Sequence, residues 1–364
     1  MLDVGIVGLP NVGKSTLFNA LTAAGAPSEN YPFCTVDPNV GTVEVPDDRL
    51  EVVYRLTPAK EKTPAFIHFV DIAGLVEGAS EGEGLGNQFL ANIREVDAVA
   101  HVLRCFEDPD VAHVSGAVDP VRDKEIVDAE LALADLDTVE RRLDRVEKKA
   151  RSGERDAIRE EEVLTRIQEA LARGRPVREI DLDERDREVV EGLHLLTAKP
   201  VLYVANVGEE DLPGGRNAHV EALEEAVSGE DARILPVCAE LEAELAELEP
   251  EERKAFLDEL GLRGSGLERL ISAAYDLLGL ITFFTSGDKE ARAWTVSRGT
   301  RAPQAGGEIH SDFERGFIGA ETISFEDFAR AGSMKAAREE GLIRSEGRDY
   351  EVRDGDVVRF RFNV

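Results

Sequence analysis

Cysteine is scarce in this chain, and the three residues present do not cooperate. Cys34, Cys105 and Cys238 lie far apart with no paired spacing, which excludes a disulfide framework and a zinc site. Cys105 and Cys238 read as buried thiols, while a redox role for Cys34 is left open. Long apolar runs are also missing, so no stretch reaches the length needed to cross a bilayer. The first residues enter a strand without a basic region or a cleavable apolar segment, and the expectation is a cytoplasmic protein. No internal repeat is found. Positive charge is in short supply, with 43 basic against 74 acidic residues and a net charge of -31. Such a balance repels bulk nucleic acid, so DNA is not expected as a partner and any RNA must be met through a local basic surface. What the chain does have is length and core material. Its 364 residues, 42% of them hydrophobic, suffice for two or three domains.

Among the residues present, Gly8-Leu9-Pro10-Asn11-Val12-Gly13-Lys14-Ser15-Thr16 carries the most chemistry. It fits a glycine, four free positions, Gly-Lys and then Ser or Thr. Val4, Ile6 and Val7 before it read as a buried strand, and Leu17, Phe18, Ala20 and Leu21 after it open a helix. In that setting, backbone N–H groups turn inward and cradle phosphate oxygens at the positive end of the helix. Lys14 is placed to reach the β- and γ-phosphates, and Ser15 to offer its hydroxyl to magnesium.

The order of elements predicts an α/β fold: a P-loop domain with a wound, mostly parallel sheet, an inserted helical hairpin and a small β-rich C-terminal domain. Ala65–Val70 is a strand running into Asp71, and Ala98–Leu103 is another. Ile126, Ala129, Leu133, Leu136, Val139, Leu143, Val146 and Ala150 recur at helical spacing, Ser152-Gly153 breaks the run, and a second helix carries Val163, Ile167 and Leu171. Gly174 and Pro176 then end it. Strands resume at Pro200–Ala205 and Ile234–Val237, and strands with a short helix at Phe325–Ala329 fill the end of the chain. The boundaries expected are 1–122 with 196–279 for the nucleotide-binding domain, 123–195 for the arm and 280–364 for the last domain.

Asp71-Ile72-Ala73-Gly74 closes a strand where a nucleotide switch faces the γ-phosphate. Asp71 can hold magnesium through water and the Gly74 N–H can bond the γ-phosphate. Leu75 stands where Ras-like enzymes place the water-orienting glutamine, so intrinsic turnover is expected to be slow. His113 is a candidate for the missing function, with a plain surface histidine as the alternative. In Asn30–Thr35, Thr35 is the candidate second hydroxyl for the metal; Thr42 is nearby but reads as part of a strand. Asn206-Val207-Gly208-Glu209 follows a strand where a GTPase carries Asn-Lys-x-Asp. Val207 removes the lysine and Glu209 lengthens the carboxylate by one methylene, changes expected to relax or invert base choice. Cys238-Ala239-Glu240 is expected to form a short loop closing over the base.

Taken together, the phosphate loop, Asn30–Thr35, the Asp71–Val76 run with the glycines after it, and Asn206–Glu209 resemble the YchF family of Obg-like ATPases over essentially the whole chain. The resemblance implies a P-loop ATPase that binds ATP at least as well as GTP, with Leu75 in place of the catalytic glutamine. It also implies association with ribosomes, a coiled-coil arm and a C-terminal TGS domain. Asn11 matches an asparagine that related potassium-dependent enzymes use, so K+ joins Mg2+ among the cofactors implied. Near the hairpin tip, Arg141, Arg142, Arg145, Lys148, Lys149 and Arg151 concentrate positive charge. They form either a docking surface for ribosomal RNA or a solvated, ion-paired face. Two functions therefore stand: an ATPase, and a nucleotide-gated ribosome adaptor with incidental hydrolysis.

Overall fold

The computed structural model describes residues 2–24, 39–73, 85–109, 111, 116–230 and 232–363. The chain divides into two compact units, Met1–Gly41 with His68–Leu270 and Thr42–Ile67 with Ile271–Val364.

The first unit is built on a six-stranded sheet. Its strands are β1 (Asp3–Val7), β2 (Val40–Glu44), β4 (Phe66–Asp71), β5 (Ala98–Arg104), β6 (Val201–Asn206) and β7 (Arg233–Val237), with β3 (Glu61–Thr63) belonging elsewhere. The order is β2-β4-β1-β5-β6-β7, and β1 pairs in parallel with β4 and β5, β5 with β6, and β6 with β7. Every residue of β5 and β6 is buried. Strands covered on both faces need continuous apolar runs, which is what Ala98–Leu103 and Val201–Ala205 supply. The register sets Ile6 opposite Asp71, Arg104 opposite Asn206 and Asn206 opposite Val237. The C-terminal ends of β1, β4, β6 and β7 thus share one edge, where open α/β sheets bind ligands.

Between β5 and β6 the chain forms the helical hairpin. The helix Pro120–Ala150 is capped by Asp119, whose carboxylate accepts the Arg122 N–H at 3.1 Å, with Pro120 at the first position. It begins six residues before the first apolar position of the periodic run, because cap and proline define the start independently of the seam. Gly153, at φ +88°, makes the turn into Arg155–Leu171. Val139, Val146, Ala150, Ala157, Val163, Leu164, Ile167 and Leu171 bury the seam. The second helix stops at Leu171, ahead of Gly174 and Pro176. At the root, buried Asp135 accepts the N–H groups of Leu196 and Thr197, both at 2.8 Å, and the Thr197 hydroxyl at 2.7 Å. Burial nevertheless raises the Asp135 carboxyl above its ordinary value.

The second unit holds β8 (Leu280–Ser286), β9 (Glu290–Ser297), β10 (Phe317–Ile323), β11 (Arg344–Glu346) and β12 (Val357–Phe362) in the order β11-β10-β12-β8-β9-β3. This sheet is mixed, with β8/β9 and β10/β12 antiparallel and β12/β8 parallel. Phe283, Phe317, Phe360, Ile281 and Val358 fill its core. The segment around β3 joins it through parallel pairing with β9, and Arg49 donates to Asp354 at 2.7 Å.

Candidate functional site

The turn after β1 has the geometry of a phosphate cradle. Asn11 and Gly13 both lie in the left-handed region, at φ +61° and +93°, and such alternation aims consecutive N–H groups into one concavity. Gly8 and Gly13 are required by close approach. A Cβ at Gly8 would stand 2.6 Å from the Val102 carbonyl oxygen, and one at Gly13 would stand 2.1 Å from the Asn206 amide nitrogen. Val12 is buried beneath the turn, whereas Asn11, Ser15 and Thr16 face outward. Lys14 opens the helix Lys14–Ala24 and is 9% exposed. Its ammonium is ion-paired to the Asp71 carboxylate, which the end of β4 delivers.

Asn206 is the keystone of the adjoining region. Buried at the end of β6, it donates to the Val12 carbonyl at 2.9 Å and accepts the Ala239 N–H at 3.0 Å. One side chain therefore fixes the phosphate turn to the segment after β7, a tie that spacing alone does not reveal. Val207 is buried at 2% exposure and donates to the Val237 carbonyl at 3.0 Å. Glu209 is exposed at the start of the 3-10 turn Glu209–Asp211. Cys238-Ala239-Glu240, expected as a loop, is instead the start of the helix Ala239–Glu247, with Cys238 in the N-cap position. The reason is sequence-local: Ala239-Glu240-Leu241-Glu242 places helix formers and acidic residues in a first turn. That helix packs on Lys14–Ala24.

Three of the candidate residues, Thr35, Gly74 and His113, lie outside the described residues, as do Cys34 and Leu75. Sequence reasoning missed Arg104, buried to 1% at the end of β5. Its guanidinium donates to the carbonyls of Phe106, Asp108 and Val111 at 3.2, 3.1 and 2.9 Å and stacks over the Phe106 ring at 4.6 Å. It thereby ties Phe106, Asp108 and Val111 to the end of β5. A lone arginine directly after the apolar run Ala98–Leu103 is the available signal. His101, on the same strand, is buried with Nε2 unpartnered, and burial pushes its imidazole down to about 4. Tyr203 lies beside it, donating to Glu230 at 3.0 Å.

Among the described residues, no group of three His, Cys, Asp or Glu is placed to hold a metal. The donors available at the phosphate turn, the Ser15 hydroxyl and the Asp71 carboxylate, are oxygens. A hard cation completed by phosphate oxygens and water fits that set, and a thiolate-seeking metal does not.

Comparison with known proteins agrees with this geometry. Residues 3–134 match the family model MMR_HSR1, described as "50S ribosome-binding GTPase", and residues 280–363 match YchF-GTPase_C, described as "Protein of unknown function (DUF933)". The chain is 55% identical over 365 residues to the "Ribosome-binding ATPase YchF" of Bacillus subtilis, covering all of both chains. It is 52% identical over 360 residues to the protein of the same name in Escherichia coli O157:H7, covering 99% of each. The solved "Structure of the Schizosaccharomyces pombe YchF GTPase" superposes with a TM-score of 0.89 at 36% identity, covering 99% of this chain and 97% of that one.

Proposed function

The chain belongs to the YchF family, and from that premise we propose that it is a magnesium-dependent ATPase that hydrolyses ATP to ADP and phosphate and acts as a ribosome-associated nucleotide switch. The observation that carries this reading is Asn206, which ties the phosphate turn to the segment after β7. Beside it, buried Val207 occupies the place of a guanine-specific lysine.

In this reading Asn11, Val12, Gly13, Lys14, Ser15 and Thr16 hold the triphosphate, with Lys14 compensating charge on the transferring phosphoryl group. Ser15, Thr35 and Asp71 hold the metal, Asp71 through water. Bound magnesium neutralises the charge shared by the β- and γ-phosphates. Gly74 senses the γ-phosphate and His113 orients the attacking water. Asn206, Val207, Glu209, Cys238 and Ala239 surround the base, with ATP preferred and GTP accepted more weakly. A potassium ion beside Asn11 would add a second positive charge at the phosphates. Residues 1–122 and 196–279 serve as the nucleotide-binding domain, 123–195 as the arm and 280–364 as a TGS domain. Among the described residues no helix is long and apolar enough to cross a membrane, and with a ribosomal partner the proposed site of action is the cytoplasm.

The names of the relatives divide between ATPase and GTPase, so competition calorimetry of ATP against GTP is the deciding experiment. Tighter ATP binding supports the reading, and tighter GTP binding overturns the base assignment. The arm supplies the ribosomal contact. Arg141 is paired to Asp137, Arg142 to Glu160 and Arg151 to Glu147. Arg145, Lys148 and Lys149 are exposed and remain available for RNA phosphates. Reversing Lys148 and Lys149 to Glu is expected to abolish ribosome co-sedimentation; undiminished binding removes the arm from the contact.

A second reading, the nucleotide-gated adaptor, is favoured by Leu75, which can neither donate nor accept a hydrogen bond to water. ATPase rates with and without ribosomes separate the two. Marked stimulation supports the enzyme, and a flat, negligible rate supports the adaptor.

A further inference from the structure

We propose that Lys199 couples the nucleotide site to the arm: it joins the end of the helix Leu85–Glu95 to the root of the hairpin, so that the position of the first sets the position of the second. The proposal rests on the nucleotide-switch reading above and names the residues through which that switch reaches the arm.

The junction is Leu196–Pro200, between the arm and β6. Leu196 and Thr197 each give their N–H to Asp135 of the outgoing arm helix. The Thr197 hydroxyl donates to the same carboxylate and accepts the Val177 N–H at 3.3 Å, from the segment that returns from the arm. The Lys199 ammonium donates to the Arg94 carbonyl at 3.2 Å and to the Val96 carbonyl, at the end of the helix Leu85–Glu95. A cation is favoured there, because the last carbonyls of a helix lack intrahelical partners. Pro200 accepts the Val99 N–H at 3.0 Å, and Val201 then opens β6, the strand that ends in Asn206.

Breaking these ties is unfavourable. Leu196, Thr197 and Asp135 are at most 2% exposed, and a buried donor or acceptor without its partner forfeits its hydration as well. Burial draws half-buried Lys199 below its ordinary pKa, with Asp97 and Asp135 opposing the shift. The helix Leu85–Glu95 follows the Asp71–Gly74 run, which meets the metal and the γ-phosphate in the reading above. Segments that engage a γ-phosphate rearrange when it arrives or leaves. A helix, as a rigid element, carries such a shift to its far end. There Lys199 must follow the carbonyls or release them. Because Lys199 stands two residues beyond Thr197, following them draws Asp135 and the arm helix along.

The test is hydrogen exchange of the full-length chain, with and without saturating magnesium and a non-hydrolysable ATP analogue, read at the Leu196 and Thr197 amides. The readout is the ratio of the two rates at each amide, so a basal change caused by a substitution cancels. In the parent, nucleotide should change these rates by at least about fivefold, the lower end of typical coupling between sites. Lys199→Met keeps the apolar stem and removes the charge; it should still bind ATP by calorimetry but respond by less than about twofold, below that range. Lys199→Arg, which still offers donors to the two carbonyls, should retain the response. A lysine that merely stabilises the fold would, when replaced, lower the unfolding temperature and leave the response intact. If Lys199→Met does not fold, Lys199→Gln is read in the same way. A full response in the folded neutral variant, or none in a parent that binds ATP, overturns the coupling. A parent that binds no ATP even with magnesium overturns the nucleotide reading itself, and the coupling with it.

Discussion

The two six-stranded sheets of this chain solve opposite problems. In the first, β5 and β6 are buried along their whole length and the strand ends at one edge carry the candidate site. In the second, β12 alternates, with Val358 and Phe360 inward and Arg359 and Arg361 exposed. Charge divides the same way. Residues 280–364 hold 13 basic and 15 acidic side chains, close to neutrality, so nearly all of the net charge of -31 belongs to the first 279 residues. The sheet proposed to bind a triphosphate therefore sits in the acidic part of the molecule. Local devices, the left-handed turn and Lys14 at a helix start, must overcome that background.

The contrast can be broken experimentally, because the single tryptophan, Trp294, is in β9 and stacks against Phe283. Its fluorescence follows the second sheet, while ATP binding follows the first. Phe283→Ala should destabilise the second unit by about 4 kcal/mol, the usual range for emptying a buried phenylalanine site. Urea titration read by Trp294 should show this with ATP affinity unchanged; a matching loss of affinity would mean the sheets are not separable.

The next effect is pH-dependent and confined to the first sheet. The His101 imidazole titrates at about 4 in the folded chain, against roughly 6.5 unfolded. Above pH 6.5 the ring is neutral in both states. Below it the unfolded chain binds the proton first, so stability is lost as pH falls towards 4, by about 3 kcal/mol in all. His101→Phe should remove that part of the acid sensitivity, measured as the difference between parent and variant unfolding at pH 7 and pH 4.5. A constant difference at the two values would refute it.

Asn206→Ala leaves the Ala239 N–H and the Val12 carbonyl without their partner and should cost about 2 kcal/mol, with ATP affinity falling at least about tenfold. Hydrogen exchange at Ala239 would report the opened tie, and Trp294 fluorescence should be indifferent. The smallest effect belongs to the arm. Arg141→Ala removes an exposed pair with Asp137 and should change stability by less than about 0.5 kcal/mol. A larger loss would show that the helical hairpin relies on its surface charges.

How legible these features were in the sequence depended on whether their cause was local. The phosphate turn, the strands through Asp71 and Asn206, and the heptad-like seam from Val139 to Leu171 follow from periodicity and from glycine at defined spacing, and the structure has them. The early start of the arm helix needed its Asp119 cap to be weighed above the apolar pattern. The helix at Ala239 is masked by the position of Cys238-Ala239-Glu240 after a strand, which suggests a loop although these residues favour helix. Arg104 and Asn206 could not be assigned their bonds from spacing. Asn206 meets partners 194 and 33 residues away, which only the closed sheet brings together, and Arg104 turns back on carbonyls of the segment that follows it, a fold that periodicity does not specify.

Cys105 and Cys238 sit just beyond β5 and β7, both buried, with the Cys105 thiol pushed up to about 12 and that of Cys238 also raised by burial. Neither can react with a soluble alkylating reagent until its surroundings part. These two sulfurs are therefore natural stopwatches for breathing at the ligand edge of the first sheet. Their alkylation rates, compared with and without nucleotide, would time how often that edge comes apart in an otherwise folded chain.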